Sequence, residues 1–182
     1  MGCGRVLDMD AEPVCLACNL ALPRPLMAGQ GSNAIRNIVV NGPAEPGICA
    51  AWMVYHPWSN YASIIRRTKY DHRPRTAVTL GRMYGRELLA DTADLPFRFA
   101  DIDVLLPIPM HWFKNLYRGF NQSEMIARGL AEVCGAEVAD NLCAVRPHST
   151  QTRLGVAKRA VNIADTMKVD HPEELDGLHI AI

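Results

Sequence analysis

Long apolar runs, an excess of charge of either sign and a dense set of cysteines are all missing from this 182-residue sequence. No apolar stretch approaches the roughly 20 residues with which a helix crosses a bilayer, so membrane insertion is not expected. Lysine and arginine (19) balance aspartate and glutamate (19), which argues against a strong non-specific affinity for nucleic acid. Six cysteines are too few for a disulfide framework. Because the N-terminus is too polar and acidic for a secretory signal, we expect a cytoplasmic protein.

The motifs of several large enzyme classes are absent as well. The sequence contains no P-loop, no HExxH zinc motif and no GxSxG nucleophile elbow, so it does not support an ATPase, a zincin or an α/β-hydrolase. What it does contain is segregated charge. Residues 141–164 include four bases and no acid, whereas the residues after Asp165 are acidic.

The composition changes near residue 47. Residues 1–47 contain three cysteines and many glycines and prolines, which predicts a small appendage joined by the loop at 41–47. Residues 48–182 alternate strand-like and helix-like patterns, which predicts an α/β domain with parallel strand pairs. The expected strands cover 49–56, 101–109, 136–140 and 178–182, and the expected helices cover 58–69, 76–90 and 121–134.

The third helix has the clearest local signals. Asn121 is expected to cap it, with Glu124 completing a capping box, and Gly135 to end it. Apolar residues at helical spacing predict the buried faces of the three helices. These residues are Tyr61, Ile64, Ile65 and Thr68; Ala77, Leu80, Tyr84 and Leu88; and Ile126, Leu130 and Val133. Outside the N-terminal arm, Cys49, Cys134 and Cys143 are expected to be small buried hydrophobes.

The segment after Pro109 is the first candidate site, because ligands in open α/β sheets bind beyond the carboxyl ends of the strands. It holds bases and amide donors ahead of a helix N-terminus, with Gly119 allowing a close backbone approach. Together they predict a pocket for an anion such as phosphate. The alternative is that Arg118 is simply solvated and that Asn121 only caps the helix. The residue types alone favour neither interpretation over the other. The residues are His111, Lys114, Arg118, Asn121 and Gln122.

The second candidate is the polar, basic stretch 149–162, which contains Arg153, Lys158 and Arg159. A mobile loop of this kind can close over a phosphorylated ligand and exclude water. Taken alone, the stretch is more simply a surface loop that leads into a short helix.

Four motifs resemble those of the ComF family, phosphoribosyltransferase-like proteins associated with DNA uptake in competent bacteria. They span almost the whole chain: CGR…CLAC at the start, RRTKYD (66–71), LLPIPMH…RGFNQSE (105–124) and TQTRL…KRAVN (150–162). The resemblance implies a type I phosphoribosyltransferase-like sheet with flanking helices, preceded by a small zinc-ribbon-like arm. It also implies phosphoribosyl pyrophosphate (PRPP) as the ligand, together with magnesium.

The resemblance also assigns residues. His111 to Gln122 become the loop on the pyrophosphate side. A flexible loop folds over the sugar phosphate, and its assigned residues are Thr150, Gln151 and Arg159. The arm would hold a structural zinc ion through Cys3, Cys15 and Cys18. Because a structural zinc site wants four ligands, a disordered arm without metal is an equal alternative at this level.

Three departures from the family pattern bear on function. An aspartate pair followed by a Thr-Thr-Gly turn, which would hold the ribose and 5′-phosphate, is absent after 178–182, so we expect a sheet incomplete at the C-terminus and no transferase activity. The partner of Cys3 in a second Cys-x-x-Cys pair would fall before Met1, so the chain resembles one clipped at both ends. Finally, Trp112, Phe113 and Leu116 make the loop less basic than is usual for the family.

Two other interpretations stay open at this level. A non-enzymatic module of DNA uptake could bind single-stranded DNA or a competence helicase through basic stretches and aromatic side chains. The stretches are 66–75 and 146–159, and the aromatic residues are Trp58, Trp112 and Phe113. Alternatively, the chain folds poorly, because an unpaired apolar strand at 178–182 invites aggregation.

Overall fold

A computed structural model describes residues 3–4, 13–25, 49–59, 61–70, 73–110, 116, 119–145 and 166–182 (backbone only for 69 and 70). Its helices are α1 (Leu16–Leu20), α2 (Ala62–Tyr70), α3 (Pro74–Asp91) and α4 (Gln122–Cys134). Its strands are β1 (Val104–Leu105), β2 (Glu137–Val138), β3 (Leu142–Ala144), β4 (Met167–Val169) and β5 (Ile180–Ala181). Two 3₁₀ turns cover Phe99–Asp101 and Pro172–Leu175.

A small parallel sheet forms the centre of the α/β part. Strand β1 lies between β2 and β5 and pairs with both in parallel, so that Val104 lies opposite Glu137 on one side and Ile180 on the other. Val104 and Leu105 are both buried. The continuous apolar run therefore indicated correctly a strand covered on both faces, although the regular pairing is shorter than 101–109.

A two-stranded antiparallel ribbon forms a second sheet, whose strands do not pair with those of the first. Strands β3 and β4 pair so that Cys143 lies opposite Lys168, and the Val145 N–H donates to the Thr166 carbonyl at 2.9 Å. The sequence pattern did not predict this ribbon. Its two strands bracket residues 146–165, which lie outside the described part of the chain.

Helices α3 and α4 pack against each other at very short range. Gly81 and Gly129 are buried at the crossing. A Cβ built on Gly81 would overlap the Ile126 carbonyl, and one on Gly129 would overlap the Val78 carbonyl. Glycine at these two positions is what lets the backbones approach so closely.

The ends of α4 follow the local sequence signals. The Asn121 side chain accepts a hydrogen bond from the Ser123 N–H at 3.1 Å, so Asn121 is the N-cap as predicted. Gly135 ends the helix at φ +82°, in the left-handed region that favours glycine. The prediction of a capping box, however, is wrong. The Glu124 carboxylate instead forms an ion pair with Arg128, one turn further along the surface of the helix, at 2.8 Å.

The N-terminal arm shares a hydrophobic core with helices α2 and α3. Val14, Cys18 and Leu22 are buried against three side chains of those helices. These are Ile64, Leu80 and Met83. Because these apolar residues are buried in the shared core, the described part of the arm is packed in a defined position against α2 and α3.

The predicted helical faces are mostly confirmed. On α2 and α3 the predicted residues Ile64, Thr68, Ala77, Leu80 and Leu88 are buried. On α4 the predicted stripe of Ile126, Leu130 and Val133 is only half-buried. The glycine crossing is the reason: with the backbones so close, the most buried positions of α4 are Gln122, Ala127 and Gly129.

Two other expectations are wrong. Residues 49–56 contain no strand within their described part, because the backbone there pairs only locally with the arm, where the Val54 N–H donates to Pro23 at 2.8 Å. The β-rich composition instead reflects half-buried packing of Trp52 and Met53 on the core. Cys49, Cys134 and Cys143 are half-buried and not fully buried. No helix in the described ranges combines the length and apolar character needed to span a membrane.

Candidate functional site

Three thiols converge at the N-terminal arm. The Sγ atoms of Cys3, Cys15 and Cys18 all lie within 4.8 Å of one another, and those of Cys3 and Cys15 are 3.8 Å apart. Four sulfurs bound at 2.3 Å to a tetrahedral zinc ion lie about 3.8 Å from each other. The spacing of the Cys3–Cys15 pair is therefore that of one edge of a zinc–thiolate tetrahedron.

Helix α1 sets the two cysteines of the CLAC motif. Cys15 is the N-cap of α1, with extended backbone angles (φ −66°, ψ 157°), and Cys18 lies in the first turn. The turn of the helix brings the two sulfurs to the same side of the chain. The backbone N–H of Cys3 donates to Cys18 Sγ at 3.2 Å, which fixes the approach of the preceding segment.

Burial affects the chemistry of the third thiol. Cys18 is 8% exposed, and burial, together with hydrogen bonding to the thiols of Cys3 and Cys15, raises the pKa of the Cys18 thiol. A metal ion that binds here must displace this proton, since only the thiolate is a ligand. Thiolates select soft ions, of which zinc is the commonest in tetrahedral sulfur sites. The three cysteines thus fit a metal such as zinc, and in the described ranges the cluster contains no fourth ligand residue.

Arg24 ties the arm to helix α3, a role that the sequence pattern did not reveal. Its guanidinium donates to Glu87 Oε1 at 2.6 Å and to Asn19 Oδ1 at 2.9 Å. It also lies 5.5 Å from the ring centroid of Trp52, which in turn packs on Tyr84. Burial raises the pKa of the Tyr84 hydroxyl in this contact. No local signal could have found Arg24, because Glu87 is 63 residues away in sequence.

The second place of interest is the carboxyl end of the central strand β1. The Asn121 side-chain amide donates to the Ile108 carbonyl at 3.1 Å, just beyond that strand. This bond fastens the N-terminus of α4 to the strand end, where its first N–H groups form a partial positive charge. Gly119, two residues before the cap, has φ +78°, and a Cβ added there would meet none of the described residues beyond its chain neighbours within 4 Å. Gln122 is buried in the first turn.

The structure thus brings together the three predicted metal ligands and, separately, two of the predicted anion-binding residues. Asn121 and Gln122 lie at the strand end, where the sequence placed them. The other predicted ligand-binding residues lie outside the described residues. They are His111, Lys114, Arg118, Thr150, Gln151 and Arg159.

A third feature is an exposed surface on and around α2. Trp58, shortly before that helix, is 99% exposed. Four arginines along α2 and at the start of α3 are exposed, and in the described part of the chain none forms an ion pair with an acid. They are Arg66, Arg67, Arg73 and Arg75. Trp112 and Phe113, the other predicted aromatic contacts, lie outside the described residues.

Comparison with known proteins gives two distant relatives. The chain is similar to proteins named "DNA utilization protein YhgH" from Salmonella typhimurium (strain LT2) and Salmonella typhi, each 27% identical over 139 residues. The match covers 69% of this chain and 59% of each relative, so the chain spans less than two thirds of their length. No family model matches the chain. No solved structure matches it either. The names of both relatives connect them with the use of DNA.

Proposed function

We propose that this chain is a phosphoribosyltransferase-like protein of the ComF type, which binds PRPP with magnesium and serves DNA uptake in the cytoplasm. The observation that carries the proposal is the position of α4. Its N-terminus lies at the carboxyl end of the central strand of a parallel sheet, held there by the Asn121–Ile108 hydrogen bond. This is the part of an α/β fold where a phosphorylated ligand finds unpaired N–H groups and a favourable dipole.

The names of the relatives support the link to DNA uptake, and the chemistry of the strand-end segment supports the ligand. Arg118 comes three residues before the cap of α4, where a base meets the positive end of a helix. A diphosphate between the guanidinium and the helix end would neutralise both. In this proposal His111, Lys114 and Gln122 contact the same pyrophosphate, and Thr150, Gln151 and Arg159 close over the sugar phosphate.

Catalysis by such a site depends on positioning and charge neutralisation more than on side-chain acid–base chemistry. Ligand binding is therefore the property that tests the proposed site directly. The cysteine cluster has a separate role in the proposal: zinc held by Cys3, Cys15 and Cys18 stabilises the arm.

Calorimetric titration of PRPP with magnesium tests the ligand. We expect binding by the natural chain and at least a roughly tenfold weaker affinity for Arg118→Ala, equivalent to about 1.4 kcal/mol. The matched control is Arg128→Ala, which removes the same charge from the exposed face of α4, where Arg128 pairs with Glu124. Equal affinities for the two variants, or no binding by the natural chain, would refute the PRPP site.

A second function is favoured by one specific observation: Trp58 is fully exposed shortly before α2, and four exposed arginines on α2 and at the start of α3 form no ion pair with an acid in the described ranges. Aromatic stacking and phosphate contacts are how non-specific sites hold single-stranded DNA. If this chain binds such DNA, affinity falls steeply with salt, and Trp58→Ala weakens it while leaving PRPP binding unchanged. Absence of DNA binding even at low salt leaves only the first function.

A further inference from the structure

We propose that the cysteine cluster is also a thiol switch, in which a hydroperoxide joins Cys3 to Cys15 in a disulfide and the metal is released. This inference builds on the metal centre in the proposed function. The disulfide would remove two of the three thiolate ligands at once, and a single remaining thiolate does not retain zinc.

The geometry favours this pair of sulfurs. Cys3 Sγ and Cys15 Sγ are 3.8 Å apart, and a disulfide needs about 2.05 Å, so the sulfurs must approach by less than 2 Å. Cys3 is exposed and Cys15 half-buried, so an oxidant in solvent reaches Cys3 first. Cys3 precedes α1 in sequence, so its approach requires no change inside the helix.

Cys18 is held differently from the other two. Its side chain is buried in the core with Val14 and Leu22, and its sulfur accepts the Cys3 N–H at 3.2 Å. Its sulfur already lies within 4.8 Å of those of Cys3 and Cys15, but closing a disulfide through it would draw this buried side chain away from its packing in the core. Cys18 is therefore the thiol that stays reduced, and it keeps α1 seated on the core after the metal has left.

The reaction balances with hydrogen peroxide, the simplest hydroperoxide, as the two-electron oxidant. The Cys3 thiolate attacks one peroxide oxygen, the O–O bond breaks, and Cys3 becomes a sulfenic acid while the leaving hydroxide takes up a proton to form water. The Cys15 thiolate then attacks the Cys3 sulfur. The S–S bond forms, a second hydroxide leaves and is protonated to water, and the metal ion loses both ligands.

Peptide mapping tests the pairing, because trypsin separates Cys3 from the other two. Cleavage after Arg5 and Arg36, with the Arg24–Pro25 bond resistant, yields peptide 1–5 with Cys3 and peptide 6–36 with Cys15 and Cys18. The zinc-loaded protein is treated with hydrogen peroxide, free thiols are alkylated, and zinc release is followed with a chromogenic chelator. We expect the 1–5/6–36 cross-link with Cys18 alkylated, and about one zinc ion released per disulfide.

Cysteine variants test which thiols form the cross-link, and a reducing agent tests whether the loss of zinc is reversible. Cys15→Ser should abolish the cross-link, Cys143→Ser should leave it unchanged, and dithiothreitol should restore zinc binding. A disulfide within peptide 6–36, oxidation to sulfinic acid without a cross-link, or a cross-link formed while zinc stays bound would each overturn the switch. A protein that never binds zinc would refute the proposed metal centre instead, and the cross-link in the metal-free protein would still test the Cys3–Cys15 pairing.

Discussion

One side chain, Cys18, belongs to both the hydrophobic core and the candidate metal centre. Its sulfur lies with those of Cys3 and Cys15, while the residue packs with Ile64 and Leu80. The ligand role was implied by the resemblance of the CGR…CLAC start to a known family pattern, and that pattern is local in the sequence. It could not predict the core role, because the packing partners come from α2 and α3, far along the chain. A local sequence pattern can thus indicate that a cysteine is a candidate ligand, but it does not indicate which distant residues pack around that cysteine.

The Arg98–Asp101 pair gives a pH prediction at the residue scale. The Asp101 carboxylate accepts hydrogen bonds from the Arg98 guanidinium at 2.6 and 3.1 Å and from its backbone N–H at 2.9 Å, and these bonds hold the pKa of Asp101 below its ordinary value. A depressed folded pKa contributes stability that is present above the unfolded pKa of about 3.9 and is lost as pH falls through the folded value.

We therefore expect Asp101→Asn to lower the melting temperature near pH 7 and to differ less from the natural chain as the pH drops below about 4. Thermal melts across pH 2–7 measure this difference. The exposed Asp94→Asn serves as the control for the loss of one negative charge. A melting difference between Asp101→Asn and the natural chain that does not change with pH would contradict the argument.

At the scale of elements, the sequence predicted α2, α3 and α4 but not α1, and it predicted the strand pairing only in part. Helix α4 begins and ends where Asn121 and Gly135 signal, because caps act within one turn. The strand expected at 49–56 did not form, since a strand requires a partner that the local sequence does not specify. For the same reason the β3–β4 ribbon went unpredicted, as its strands are separated by residues 146–165.

The α3–α4 crossing yields a graded prediction. Gly81→Ala and Gly129→Ala each place a methyl group into the backbone of the facing helix, which must move apart, and we expect a loss of about 1–3 kcal/mol or more in the free energy of unfolding. The nearest atoms to a Cβ at Gly85 belong to side chains, Val133 at 3.1 Å and Leu130 at 3.5 Å. Because Gly85→Ala also gains helix propensity worth about 1 kcal/mol, it should be close to neutral.

Urea unfolding of the three variants gives the comparison directly. The order of stability should be Gly85→Ala above both Gly81→Ala and Gly129→Ala. Equal losses at all three positions would mean that backbone contact at the crossing does not determine the packing.

At the scale of the whole molecule, the described part of the arm is joined to α2, α3 and the segment before α2 by at least three kinds of contact. These are the shared core of Val14, Cys18 and Leu22, the Pro23–Val54 backbone hydrogen bond and the Arg24–Glu87 ion pair. The sequence indicated an appendage because its composition changes near residue 47, but composition does not reveal how such a segment docks. The docking makes the candidate metal centre part of the folding unit that contains α2 and α3.

Metal binding should therefore stabilise the helices as well as the arm. Zinc at a free concentration 100 times its dissociation constant adds about 2.7 kcal/mol, which raises the melting temperature of a chain of this size by roughly 5–10 °C. Circular dichroism at 222 nm measures this, because α3 and α4 contribute most of the helical residues in the described part of the chain. Cys3→Ser, at an exposed position, should abolish the shift, whereas Cys143→Ser should keep it. If zinc binds and the 222 nm transition does not move, the arm unfolds independently of the helices, and the packing of Cys18 against Ile64 and Leu80 does not couple the two.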